Sequence, residues 1–309
     1  MDRRSFLQNT AGTLGGLAAA DALSPLLCAP QAARPDLAVV KGASVDKMVQ
    51  TAIDTIGGIK RFISKDDIVI IKPNIGWDRK PEFAANTNPE LVAALVKLCL
   101  GAGAKTVKVF DRTCQDQRRC YENSGIEAAA KAAGAAVSFV GGPRLTSIEE
   151  RLYKDVKIPD GVAIKSWALN EDAVNPKVKL INVPIAKNHG STKLSMSMKN
   201  LMGLMGDNRG QAHQKLDTAI VDIATVIKPT LIIIDAIRIL TAHGPTGGNL
   251  DDVKRLDTVV AGVDPVATDA YATTFFSMEP KDIGHIKEAA ERGLGKMDLS
   301  KLNISKIEV

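Results

Sequence analysis

The stretch DIVIIKPN (residues 67–74), followed after a helix-like span from about Asn88 to Leu100 by KTVKVFD (residues 105–111), decides the fold. An unbroken apolar run that ends in polar residues is the pattern of a strand covered on both faces. Two such strands joined by a helix-length connection form a parallel strand–helix–strand unit.

The same alternation extends in both directions. Towards the N-terminus, DLAVVKG precedes the helical pattern VDKMVQTAIDTIGGIKRFI. Towards the C-terminus come GIEAAAKAAG and AAVSFVG, then a less regular segment at 141–176 with IPDG and VNP turn signals. The alternation resumes with VKLINVP, a helix around Leu216–Ile227, TLIIIDA, DTVVAG, a helix after Asp264-Pro265, a charged helix near Asp282–Arg292 and a last strand, SKIEV. The prediction is an α/β fold: a mostly parallel sheet with helices on both faces, Rossmann-like layering, and 141–176 as an insertion or lid. No linker or internal repeat interrupts residues 34–309, which are expected to form one domain.

With 309 residues and 45 % hydrophobic content the chain is long enough to bury such a core. Aromatic content of 4 % disfavours the stacking platforms that hold single strands. The net charge of +5 is dispersed, so no nucleic-acid partner is expected, while a small anion remains compatible.

Arg3-Arg4 followed by Ser5, Phe6, Leu7 and a small-residue apolar stretch reads as a twin-arginine export signal over residues 1–33, with cleavage near Ala29–Ala33. The expected partner is the twin-arginine translocase and the expected location periplasmic or otherwise exported. No later run of 18 apolar residues occurs, so no membrane span is expected after processing. Cys99 sits on an apolar helix face and reads as core, while Cys114 and Cys120 leave a disulfide open in an oxidising compartment. Their spacing matches no zinc or cluster motif, and no iron–sulfur cluster is expected.

Ligands of open parallel sheets bind beyond the carboxyl ends of the strands. There the sequence delivers Lys72 and Asn74, then Asp111 and Arg112, then Lys187, Asn188 and His189, and finally Asp235 with His243 and the loop Gly244, Thr246, Gly247 and Gly248. Asp235 ends an apolar strand, where a carboxylate is costly without a partner. Asp111 reads as a cap of the segment after it, Asp264 as an N-cap ahead of Pro265, and His285 as a residue on an exposed helix.

In AKNHGSTKLSMSMKNLMG (residues 186–203), Ser191 or Thr192 is the natural N-cap of a predicted helix. That helix places Lys193, Ser197 and Asn200 on one line and Leu194, Met198, Leu201 and Met205 on an apolar neighbour, so the methionines read as core. A helix N-terminus flanked by Gly190, Ser191, Thr192 and two lysines suits an anion, and Lys199 further along the predicted helix is a further candidate for binding it. The order G-S-T-K is not a Walker A loop, and nucleotide hydrolysis is disfavoured. Gly203, Gly206, Asn208 and Gly210 predict a mobile loop carrying Asp207, Arg209 and His213. A competing reading takes His189, His213 and His243, with Asp235 or Asp207, as ligands of a divalent metal, although they come from separate loops.

Taken together, IKPN, NTNPELV, AKNHGSTKLSMSMKNLMGL, IIDAI with GPTGG, and VAGVDPVATDA resemble the DUF362 family over about Ile68 to Ala270. The resemblance implies an α/β domain of undefined activity. Its recurring residues correspond here to Lys72, Asn74, Lys187, His189, Thr192, Lys199, Asn200, Asp235 and the glycine-rich loop. Some members carry an attached ferredoxin-like segment; this chain shows no C-x-x-C-x-x-C run, so the family's iron–sulfur label does not transfer.

The function expected is an exported enzyme acting on a small anionic substrate. Lys72, Lys187 and Lys193 would neutralise the anion, His189 would be the general acid/base, and Asp235 would orient it or hold a metal. The alternatives are a non-catalytic cofactor- or ligand-binding protein assisting a redox enzyme, and a metal-binding redox protein.

Overall fold

The computed structural model describes residues 34–309, so the predicted export signal lies outside the described residues. The first half comprises β1 (Leu37–Lys41), α1 (Val45–Thr55), β2 (Ile68–Pro73), α2 (Pro89–Gly101), β3 (Thr106–Val109), α3 (Gln117–Asn123), α4 (Ile126–Ala132) and β4 (Ala136–Val137). The segment 141–176 contributes a short helix, α5 (Ser147–Glu150), and a separate hairpin of β5 (Tyr153–Lys157) and β6 (Ser166–Asn170). The second half comprises β7 (Val178–Val183), β8 (Ile185–His189), β9 (Lys193–Ser195), α6 (Ser197–Asn200), α7 (Leu216–Val226), β10 (Leu231–Leu240), β11 (Val253–Gly262), α8 (Pro265–Ala272), α9 (Gly284–Glu291) and β12 (Ile304–Glu308).

The main sheet runs β12-β1-β11-β10-β7-β2-β3-β4, with β8 continuing beside β10 and β9 beside β8. It is a mixed sheet with mostly parallel strands; the pairings of β11 with β1 and β10, and of β8 with β9, are antiparallel. Alternation along the strands sets the two faces. In β2, Val69 and Ile71 join one apolar cluster with Leu91, Leu95 and Met48 from α1 and α2, whereas Ile70 joins the other with Ile220 and Ile223 of α7. Each side chain of this kind, taken fully out of water, contributes about 1.5–3 kcal/mol.

Capping residues fix where the helices begin. The Asn88 side chain accepts from Glu90 N at 2.8 Å with Pro89 at the first helical position, and Asp264 accepts from Val266 N and Ala267 N ahead of Pro265.

The predicted helix beginning at Ser191 or Thr192 is not formed. Residues 190–192 are instead the turn of a hairpin, and Lys193–Ser195 pair antiparallel with Lys187–His189. The turn residues are held locally: Thr192 N donates to His189 Nδ1 and Thr192 Oγ1 to Leu194 O. Helix begins only at Ser197, where the buried carboxylate of Asp269 accepts from Ser197 N at 2.7 Å and Met198 N at 3.0 Å. Leu194, Met198, Leu201 and Met205 are core all the same.

Two further expectations change. The 203–210 segment is tied down rather than free, with Gly206 N donating to Ala168 O and Trp167 Nε1 to Gly206 O. His285 is fully buried, because α9 turns that face onto α7, and its Nδ1 lies 2.9 Å from Asp217 Oδ1.

Candidate functional site

At the carboxyl edge of β2, β3 and the β7–β8 strands the chain encloses a cavity of about 410 Å³. Its wall includes Asn74, Trp77, Asp111, Cys114, Lys187, His189, Ser195, Lys199, Asn200, Arg209 and His213.

The floor is a buried polar network. Lys72 Nζ lies 2.8 Å from Asp111 Oδ1 as an ion pair and donates to Pro73 O and Asn200 Oδ1. Asp111 does not cap the segment after it: its Oδ2 accepts from Ile75 N at 2.7 Å, tying the ends of β2 and β3 together. Asn200 in turn receives Asn74 Nδ2 and donates to Asn182 Oδ1. Burial lowers the Lys72 pKa, and the Asp111 charge opposes that shift.

Lys187 is buried and donates to Asn74 Oδ1 at 3.0 Å, Ala85 O at 2.6 Å and Pro245 O at 3.2 Å, with the Trp77 ring 5.9 Å away. Burial pulls its pKa down to about 7, while three oxygen acceptors, one for each ammonium proton, favour the charged form. Lys199 is half-buried on the wall, and its pKa falls to about 8, again through burial first. Arg112 also borders the cavity, but its guanidinium donates to Gly142 O, Met205 O and Asp207 O, bolting the 141–143 segment to the 205–207 loop. Arg209 donates to Arg112 O and Thr113 O and still borders the cavity.

His189 has a defined tautomer. Its Nδ1 accepts from Ser191 N at 3.1 Å and Thr192 N at 3.3 Å, so the ring proton sits on Nε2. Burial first, then the Lys199 and Lys187 charges, push its pKa down to about 3. The imidazole is therefore neutral near pH 7 and presents an N–H donor, which corrects the expectation of a general acid/base titrating near working pH.

Several predicted site residues lie elsewhere. Asp235 does not end its strand, because β10 continues to Leu240 past a bulge; its carboxylate accepts from Asn88 N and Ile237 N and lies off the cavity. Lys193 is exposed, and its Nζ donates to Asp282 O rather than facing the cavity. Thr192 is a turn residue. In the glycine-rich loop, Gly244 N donates to Asn188 Oδ1 and Gly247 N to His243 O, so those amides are already engaged. Pro245 reaches the cavity; Thr246, Gly247 and Gly248 do not border it.

The histidine set does not converge either. His189 and His213 border the cavity, whereas His243 is exposed and pairs with Asp252 at 2.8 Å. Among the described residues no three of His, Cys, Asp and Glu are grouped as metal ligands would be. Cys114 and Cys120 are free thiols, one exposed and one buried.

The sequence reading passed over Trp77 and Ser195 as site residues. Ser195 was hidden by the wrong helix, although the register opposite Lys187 brings it to the wall. Asp269, which holds the helix that carries Lys199 and Asn200, left no sequence signal beyond an acidic residue in an apolar helix.

A family profile described as a domain of unknown function, DUF362, matches residues 69–274. The chain belongs to the DUF362 family. This DUF362 chain is 27 % identical over 256 residues to a thylakoid-associated protein of Synechocystis sp., a match covering 80 % of this chain and 74 % of that protein. Among solved structures it is similar to the lactate racemase apoprotein of Thermoanaerobacterium thermosaccharolyticum, with 12 % identity and a TM-score of 0.46 over 78 % of this chain and 57 % of that one. It is also similar to a Thermotoga maritima protein, with 11 % identity and a TM-score of 0.40 over 75 % and 58 %. The DUF362 chain spans less than two thirds of either solved chain.

Proposed function

We propose that this DUF362 protein binds a small anion in the cavity at the carboxyl edge of the sheet and acts on it, after export by the twin-arginine translocase to the periplasm. One observation carries the binding reading. Lys187, Lys199 and Arg209 border a single cavity whose one carboxylate among the described lining residues, Asp111, is already matched to Lys72. The unbalanced positive charge lies in a partly desolvated site, where a bound anion gains more than it would at an open surface. The His189 N–H adds a neutral donor for an oxygen of the ligand.

Thermal-shift and calorimetric titrations with acetate, malonate and inorganic phosphate test this. The expected result is a salt-sensitive rise in Tm with at least one of them, lost in Arg209→Gln while the circular dichroism of that variant is unchanged. No stabilisation by any of the three would overturn the reading. For export, an Arg3→Lys/Arg4→Lys double variant should hold a fused reporter in the cytoplasm; undiminished export would remove the twin-arginine route.

A further inference from the structure

The three lysines at this site are chemically unlike. Lys72 is fully buried and bound to a carboxylate, a carbonyl and an amide oxygen. Lys187 is nearly as buried, and each of its three protons has an oxygen acceptor. In both, the nitrogen is turned to oxygen acceptors of the protein rather than to the cavity. Lys199 differs. Its one hydrogen-bond partner among the described residues is the thioether sulfur of Met202 at 3.4 Å, a weak acceptor. It borders the same cavity as Arg209, His189 and Ser195, and is carried by α6, whose start is fixed by the buried Asp269.

We propose that Lys199 is a Schiff-base-forming amine and that the anion the cavity takes is an oxo acid, a small carboxylate that carries an aldehyde or ketone. The proposal rests on the anion-binding reading above. An amine without an oxygen acceptor, desolvated and set beside other cations, is the environment in which a lysine becomes nucleophilic at neutral pH. The fall of its pKa to about 8 through burial is consistent with that. Arg209 is the cation with N–H groups left for the carboxylate, the bound anion favours the charged form of Lys187 behind it, and His189 Nε2–H is the donor available to the carbonyl oxygen.

The step balances without a further reactant. The neutral Lys199 amine attacks the carbonyl carbon, forming a C–N bond; the carbonyl oxygen takes up a proton and the nitrogen gives one up. In the resulting carbinolamine the C–O bond then breaks, the hydroxyl leaves as water together with the proton remaining on nitrogen, and the C–N single bond becomes C=N. A plain phosphate or a saturated carboxylate would bind but has no carbon open to this attack.

The test is reductive trapping on the full chain with glyoxylate and cyanoborohydride, followed by peptide mass mapping, alongside calorimetry with acetate. The expected result is one adduct at Lys199, formed ahead of any at the exposed Lys193, suppressed by acetate and lost in Lys199→Arg. Acetate binding with no preferential adduct at Lys199 overturns the Schiff-base proposal and leaves the anion site standing. Absence of both overturns the two together. Mapping of the unsubstituted chain decides the matter even where Lys199→Arg fails to fold.

Discussion

Gly203 lies directly over Asp111: a Cβ built on Gly203 would overlap Asp111 Oδ1 and come within 2.7 Å of Lys72 Nζ. The glycine is there because the ion pair needs the space, and Gly203 O accepts from Arg112 N on the same approach. Gly203→Ala must push the carboxylate off the ammonium or move the loop. Breaking a buried pair costs roughly 3–5 kcal/mol. Urea denaturation of Gly203→Ala should show a loss of that size. Gly101→Ala, with nothing within 4 Å of the added carbon at the end of α2, should be neutral or slightly stabilising and serves as the control. Equal stability of the two variants would show that the pair tolerates displacement.

His189 should be neutral throughout the physiological range, with its proton on Nε2. Two backbone amides donate to Nδ1, and protonating that nitrogen would place its N–H against both. Nitrogen-15 chemical shifts of the ring report tautomer and charge directly. The expected spectrum is a single Nε2–H tautomer unchanged from about pH 8 to about pH 5. An imidazolium signal appearing near pH 6.5 would return His189 to the role of a conventional acid/base.

Asp269 links pH to the helix that carries Lys199. Burial raises its pKa to about 7 from 3.8, against the two amides it accepts from. A carboxyl whose folded pKa lies above its unfolded one stabilises most below the unfolded value, and that contribution is lost as pH rises through the folded value. The stability of the protein relative to Asp269→Asn should therefore fall between about pH 4 and about pH 7 and then level off. Urea denaturation at four pH values across that window gives the slope. A flat difference would mean the two amides already hold Asp269 as an ordinary carboxylate.

The parts of this molecule that sequence periodicity carries were legible, and the parts set by register were not. The apolar runs of β2, β3, β7 and β10 announced a layered sheet, and the polar residues at the carboxyl ends of β2 and β8 converge as that architecture requires. Asp235 misled because an acidic residue after four apolar ones looks like a strand end, whereas the strand runs on and turns the carboxylate to α2. The hairpin at Gly190–Thr192 misled for a related reason. Thr192 and Ser191 are good caps in any sequence, and only pairing with Lys187–His189 decides for a strand. Helical spacing among Lys193, Ser197 and Asn200 was a coincidence of a strand joined to a short helix. The charge state of His189 could not be read at all, since it depends on two backbone amides.

Anion binding should draw protons into the site. In the free protein burial holds Lys187 and Lys199 near pKa values of about 7 and 8, so both are partly deprotonated at pH 8. A bound anion favours the charged form of each and raises both values, with Asp111, Arg112, Arg209, His189, His213 and Cys114 lining the same space. Uptake follows from linkage: the complex carries more protons than the free protein, so affinity falls as pH rises through about 7 to 9. Calorimetry with acetate at pH 8, in two buffers of different ionisation enthalpy, should give heats that differ in proportion to the protons taken up. In Lys199→Arg the uptake should drop to the share of Lys187, because arginine stays charged across this range. Identical heats in both buffers would mean that the lysines are already fully protonated before the anion arrives, which would place their pKa values well above the cavity's present ones.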